Sequence, residues 1–237
     1  MPFTGRPYPR RMTPTYVLRM WLPDRPGALG QVASRVGAVG GDVVGIDILE
    51  RGGGRAIDEL VVELPAPDLV ELLISELHQV DGVDVETITP VAESLRDPRL
   101  DALETAALLV GASTRHGALE ALCEHSVRTI GAGWSAVVAL EGPDILAQQG
   151  DVPPVPWLVA YVKGSQSSAR VAGGDGGPAD VVWAPLPGAD MALVLGRDGN
   201  PFRARERRQA AALARIVDTR FRELSHLEAR IAHPSQG

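Results

Sequence analysis

The spacing of apolar residues predicts alternating strands and helices in the first part of the chain. Apolar side chains recur at every second position in some stretches and at every third or fourth position in others. The elements predicted in this way are strands at Thr15–Leu22, Asp42–Glu50, Ala56–Leu64 and Val83–Val91, and helices over Leu29–Val39 and Leu69–Leu77. The order βαββαβ predicts an antiparallel sheet with both helices on one face.

The second part of the chain also mixes strands with helices, but in a different order. Its predicted elements are helices over Leu103–Gly111, Ala118–Ile130 and Trp157–Lys163, strands at Trp134–Leu140, Ile145–Gln149, Val181–Leu186 and Met191–Gly196, and an arginine-rich helix over Phe202–Ala232. The fold class is therefore α+β throughout. We place a disordered tail at residues 1–14, a first domain at 15–91, a linker at 92–99 and a second domain at 100–232.

The junction between the first strand and the first helix is the most distinctive stretch, Leu22-Pro23-Asp24-Arg25-Pro26-Gly27-Ala28-Leu29. Its prolines fix φ, and Gly27 lets another group approach the backbone. The N–H groups of Gly27, Ala28 and Leu29 fall in the first helical turn, where no intrahelical acceptor exists. Such a helix start attracts anions, including the carboxylate of an amino acid. The alternative is that Asp24 caps the helix and Pro26 starts it, with no ligand.

Composition narrows the choice of function. The 237 residues carry a formal charge of −7, which disfavours non-specific binding to nucleic acid. The single cysteine, Cys123, excludes an intrachain disulfide, and we predict a reducing cytoplasm. No apolar run approaches the ~20 residues that span a bilayer, so we expect no membrane association. Lys163 is the only lysine among 23 basic residues, a bias that suggests a bacterial genome rich in G and C.

Candidate catalytic residues are few. Cys123 is the candidate nucleophile, and His125 is its candidate general base. They lie two positions apart on a predicted helix and therefore do not face each other. No spacing typical of metal ligands or of a phosphate-binding loop occurs. We therefore predict a protein that is not an enzyme and that needs no cofactor and no metal.

Residues 15–91 resemble the ACT domain, a small-molecule sensing module. The resemblance is carried by the strand that ends in Leu22-Pro23-Asp24-Arg25-Pro26-Gly27-Ala28-Leu29, followed by Gly41-Asp42-Val43 at the start of the second strand. It implies a ferredoxin-like fold and a homodimer whose two copies pair through a sheet edge. It also implies an amino acid bound between copies. The implied contacts are Asp24, Arg25, Pro26, Gly27, Ala28 and Leu29 of one copy and Gly41, Asp42 and Val43 of the other.

The second part of the chain resembles a small GAF domain. The resemblance is carried by Trp183–Gly188, the apolar strand Met191–Gly196, Arg197-Asp198-Gly199 and a helix that opens at Phe202. GAF pockets bind small molecules in some families and nothing in others.

Together these observations predict a regulatory sensor. We expect it to bind an amino acid or a similar small metabolite allosterically at the ACT dimer interface, and to act on an unidentified protein target. The alternative is a structural or protein–protein interaction module whose pockets are vestigial.

Overall fold

The computed structural model describes residues 13–91, 98–142, 144–167 and 178–232. The chain divides into two compact units, residues 1–95 and 96–237. Most of the predicted tail (1–12 of 1–14) and most of the predicted linker (92–97 of 92–99) lie outside the described residues. Within the described ranges, no helix is both long enough and apolar enough to cross a membrane.

The first unit has the predicted βαββαβ order. Its strands are β1 (Thr15–Pro23), β2 (Asp42–Gly52), β3 (Arg55–Glu63) and β4 (Asp84–Pro90), and its helices are α1 (Ala28–Ala38) and α2 (Val70–Leu77), the latter preceded by a 3₁₀ turn at Pro67–Leu69. The strands form one antiparallel sheet in the order β2-β3-β1-β4. β2 and β4 are therefore its edges.

The core of the first unit lies between the sheet and the two helices. Alternate residues of β1 and β3, such as Leu18, Met20 and Leu60, are fully buried on the helix-facing side. Val32 and Val36 of α1 and Leu73 and Leu77 of α2 cover them. The period of two in the strands and the spacing of the helical residues thus produce one shared core. An ion pair at 2.8 Å joins Arg35 of α1 to Glu76 of α2.

The second unit is built around a four-stranded antiparallel sheet. Its helices are α3 (Pro98–Gly111), α4 (Arg115–Ile130), α5 (Val155–Ser167) and α6 (Ala204–Ala232), and its strands are β5 (Trp134–Ala139), β6 (Ile145–Gln149), β7 (Val181–Leu186) and β8 (Met191–Gly196). The strand order is β6-β5-β8-β7. This sheet and the long last helix confirm the predicted α+β class.

Both faces of the second sheet are buried. Leu193 and Leu195 of β8 face the core shared with α4 and α6. Ala192 and Val194, which alternate with them, face a second core that contains Leu158 and other residues of α5. β8 is buried along its whole length, which accounts for its uninterrupted apolar sequence.

One buried arginine joins distant parts of the second unit. Arg197 follows β8 and pairs with Glu206 of α6 at 2.8 Å, and each side chain is only 8% exposed. Its guanidinium also donates to the carbonyls of Ile130 and Gly131 at the end of α4, and to those of Asn200 and Pro201. The plane of the group lies over the ring of Phe202. The arginine thereby satisfies helix-end carbonyls that have no partner within the helix.

We expect Arg197→Met to lower the free energy of unfolding by about 3–5 kcal/mol, because it removes the cation that pairs with the buried Glu206 carboxylate. Urea unfolding followed by circular dichroism measures the change. The matched control is Arg115→Met, which removes an exposed pair with Glu228 and should cost no more than about 1 kcal/mol. Equal losses in the two variants would contradict the assignment.

Candidate functional site

The junction between β1 and α1 is held by backbone hydrogen bonds. The N–H of Asp24 donates to the carbonyl of Gly54 at 2.9 Å, which ties the junction to the tight turn between β2 and β3. Gly27 precedes the first residue of α1 and has φ of +88°. L-residues with a side chain are disfavoured at this φ. The glycine is therefore required by the backbone conformation as well as by any close approach of a ligand.

The helix start is open, with one correction to the prediction. The N–H of Ala28 donates to the carbonyl of Arg25 at 3.3 Å and is not free. Among the described residues, no acceptor is found for the N–H groups of Gly27 and Leu29. The N–H of Gly30, in the same helical turn, also has no acceptor among the described residues. Gly30 is not among the site residues predicted from the sequence. Three N–H groups therefore remain available to an anion.

Asp24 does not cap the helix, contrary to the ligand-free alternative. Within the described ranges, no side chain accepts a hydrogen bond at the start of α1. The carboxylate of Asp24 instead lies 3.9 Å from the Nε of Arg51 at the end of β2. The side chain of Arg25 reaches Gln31, where the two polar atoms are 3.5 Å apart. Pro26 lies in the loop before α1 and does not begin the helix.

The second half of the predicted site lies at the opposite end of the same sheet. Asp42 is opposite Glu63, and Val43 is opposite Val62. The junction, by contrast, follows Pro23, which is opposite Arg55 at the other end of β3. The nine residues of β3 separate the two ends, a span of about 30 Å at the usual rise per residue. One copy of the chain therefore does not bring the two halves together.

The residues at the start of β2 divide between structure and surface. A Cβ on Gly41 would stand 2.9 Å from Leu64 and 3.1 Å from the carbonyl of Glu63, so packing alone requires this glycine. Val43 packs against the core. Asp42 is exposed, and it is the member of this group whose side chain is open to a ligand.

Sequence reasoning missed Asp58, a buried carboxylate near the junction. It lies on β3 between Met20 of β1 and Ile48 of β2, and therefore on the helix-facing side. It is 4% exposed, and its Oδ1 has no hydrogen-bond partner among the described residues. Burial raises its pKa, Arg51 lowers the pKa, and the charge of Asp24 raises it further. The alternation of Leu60, Val62 and Leu64, continued back by two, would have placed Asp58 in the core.

The outer edge strand carries a second feature that the sequence did not reveal. Val44, Ile46 and Ile48 of β2 are 45%, 45% and 41% exposed, although they are large and apolar. They occupy alternating positions on the strand whose outer edge has no neighbour among the described strands. An exposed apolar row of this kind on an edge strand favours pairing with another chain.

The cysteine–histidine pair considered from the sequence has the properties of a packed core. Cys123 is buried, and burial raises the pKa of its thiol to about 11. Reactive cysteines have the opposite shift. Burial and the neighbouring Arg128 lower the pKa of His125, whose Nδ1 lies 2.8 Å from the Arg128 guanidinium. The part of the chain that the structure describes holds no cluster of metal-binding side chains.

Comparison with known proteins assigns the first unit to a family. Residues 16–82 match the model of the ACT domain, which confirms the resemblance drawn from the junction. The first unit is thus an ACT domain, and ACT domains are typically regulatory modules that bind small molecules. No curated protein matches the chain.

Solved structures similar to the chain include domains of both expected kinds. The ACT domain of the GTP pyrophosphokinase of Chlorobium tepidum is 18% identical, with a TM-score of 0.27, over 32% of this chain and 96% of that one. The GAF domain of the Acinetobacter phosphoenolpyruvate-protein phosphotransferase is 10% identical, with a TM-score of 0.41, over 56% of this chain and 97% of that one. At these levels neither structure carries an argument about function.

We expect Gly27→Ala to lower the free energy of unfolding by about 1–2 kcal/mol, because alanine is strained at this positive φ. Gly30→Ala is the matched control, since Gly30 is helical, exposed and without a neighbour within 4 Å of an added Cβ. It should raise the free energy by about 0.5–1 kcal/mol. Equal effects in urea unfolding would contradict the left-handed conformation of Gly27.

Proposed function

We propose that this protein is a non-enzymatic regulatory sensor that binds an amino acid between the ACT domains of two copies. The junction Asp24–Leu29 of one copy and the start of β2 of the other copy would form the two walls of the site. The observation that carries the proposal is the open start of α1, where three N–H groups remain available at a position that no side chain of the described residues fills.

The sheet geometry supports a site shared by two copies. A two-fold axis that pairs two β2 edges makes the strands antiparallel. If the axis passes near Ile46 and Asp47, Asp42 of one copy lies opposite residues 50–52 of the other. Those residues lead into the turn whose Gly54 carbonyl binds Asp24. Two-fold pairing thus brings together the two halves that a single chain holds about 30 Å apart.

Charge and hydrophobicity favour the same pairing. The exposed residues Val44, Ile46 and Ile48 would meet their own counterparts across the axis and lose contact with water. Asp42 of one copy would approach Arg51 of the other, a pair of opposite charges. The backbone N–H and carbonyl groups on the outer edge of β2 would also gain hydrogen-bond partners.

Binding energy must come largely from enclosure between the copies. An anion at a helix start gains about 0.3–2 kcal/mol. Micromolar affinity requires about 8 kcal/mol. The helix start therefore orients the ligand carboxylate, while burial between two ACT domains supplies most of the affinity. Such a ligand would favour the paired state over the separate one, which is how binding would be transmitted.

A second candidate function is a protein–protein interaction module. The observation that favours it is the row of exposed apolar residues on α3, where Leu100, Leu103, Leu108 and Val110 are all more than half exposed. A surface of this kind is typical of a binding face for another protein. In this case the second unit would carry the function and the ACT site would be vestigial.

We expect calorimetric titration with the twenty amino acids to give a saturable signal for at least one of them, because the α1 start and Asp42 offer one charge of each sign. Sedimentation in the same buffer gives the oligomeric state. A folded dimer that binds none of the twenty would contradict the sensor function and favour the interaction module.

We expect Ile46→Lys to convert the dimer to a monomer and to weaken binding of that amino acid at least about tenfold, because a charge is placed in the middle of the paired edge. Leu72→Lys is the matched control, since Leu72 is 48% exposed but lies on α2. It should leave both the sedimentation and the titration unchanged. A dimer that persists in Ile46→Lys would place the interface elsewhere.

A further inference from the structure

The carboxylate of Asp58 is in an unusual position for a charged group. It belongs to the core-facing row of β3, directly between Met20 and the exposed Ile48. Only 4% of the residue is exposed, and Oδ1 is enclosed without a partner among the described residues. Native proteins satisfy most buried polar atoms, so an orphaned carboxylate oxygen calls for an explanation.

Folding alone does not explain this residue. Burying a carboxylate without hydrogen bonds destabilises a protein, and an apolar side chain of similar size would be better tolerated. The positive charge that lowers the pKa of Asp58 is Arg51, and its influence is purely electrostatic. Arg51 is itself 58% exposed at its side chain and lies within 3.9 Å of Asp24 instead. Arg51 therefore acts on Asp58 through its charge, without donating a hydrogen bond to it.

Asp58 belongs to the same end of the sheet as the open helix start. Its pKa responds to the charges of both Arg51 and Asp24, which flank the junction. α1 begins just after that junction and packs on β1 and β2. Ile48, which is 41% exposed, lies directly opposite Asp58 on β2, and Ile46 lies two residues further from the junction. An aliphatic chain that starts at the junction and runs toward Ile48 would lead to this carboxylate.

We propose that Asp58 forms a subsite for a second cationic group, so that the ligand of the shared ACT site is a basic amino acid. This inference rests on the proposed function. The carboxylate of the ligand would lie at the start of α1, and its α-ammonium group would face Asp42 of the second copy. Its aliphatic stem would lie against Ile48, and its terminal cation would replace the charge of Arg51 and donate to Asp58.

The charges of the site favour this class of ligand over a neutral amino acid. The α1 start takes one negative group, whereas Asp42 of one copy and Asp58 of the other each take a positive one. A neutral amino acid carries only one cation and would leave Asp58 without a hydrogen-bond donor. A charged hydrogen bond to a buried carboxylate is among the stronger polar interactions in proteins.

The test compares two matched pairs of ligands by calorimetric titration of the full-length protein. Lysine and norleucine have the same backbone groups and similar length, but norleucine lacks the terminal ammonium. Arginine and citrulline have nearly the same shape, but citrulline is neutral. We expect the cationic member of at least one pair to bind about tenfold or more tightly. In Asp58→Asn this ratio should fall to about one.

The control variant is Asp68→Asn, which removes an exposed carboxylate from the 3₁₀ turn Pro67–Leu69 and should leave the ratio unchanged. Circular dichroism checks that Asp58→Asn is folded. If it is not, the ratios measured with the unaltered protein still test the proposal. A ratio of one in the unaltered protein that binds other amino acids would overturn the role of Asp58 but not the sensor function. An unchanged ratio in Asp58→Asn would do the same. If none of the twenty amino acids binds, both proposals fall.

Discussion

The antiparallel pairing of β3 with both of its neighbours is the constraint on which the ACT unit depends. Each residue of β3 is held opposite one residue of β1 and one of β2. This register decides which ends of the elements meet: the junction before α1 lies beside the β2–β3 turn, and the start of β2 lies at the far end. It also leaves β2 as an edge. A site that uses both ends therefore requires a second copy whose edge strand runs in the opposite direction.

At the junction, one residue determines both the backbone conformation and the open start of α1. Gly27 turns the chain in a left-handed conformation, so that α1 begins without a side-chain cap from the described residues. N–H groups that side chains cap in many helices are then left without an acceptor among the described residues. The Oδ1 of the nearby Asp58 is likewise without a hydrogen-bond partner among the described residues. Both features cost stability, and both are concentrated at one end of the sheet, which is typical of functional sites.

In the second unit, by contrast, a buried charged group has a full set of hydrogen-bond partners. The guanidinium of Arg197 is surrounded by Glu206 and by four backbone carbonyls, two of which come from the end of α4. Charge and hydrogen bonds are both satisfied there, so the group holds the fold together. Cys123 is equally enclosed, with a thiol pKa near 11 that disfavours the thiolate. Asp58 differs from these groups, because its Oδ1 is buried without a hydrogen-bond partner among the described residues.

The sequence by itself determined the elements and the class of the first unit. Apolar periodicity is a local property, so it located β6, β7 and β8 at their observed ends and most other elements within a few residues. The junction Leu22–Leu29 and Gly41–Val43 were enough to indicate the ACT domain. Only the tertiary structure decided that Ala28 is hydrogen-bonded, that Asp42 lies far from the junction, and that Asp58 is buried and unpaired. These properties depend on the register between strands and on contacts between residues far apart in the chain, which no local pattern encodes.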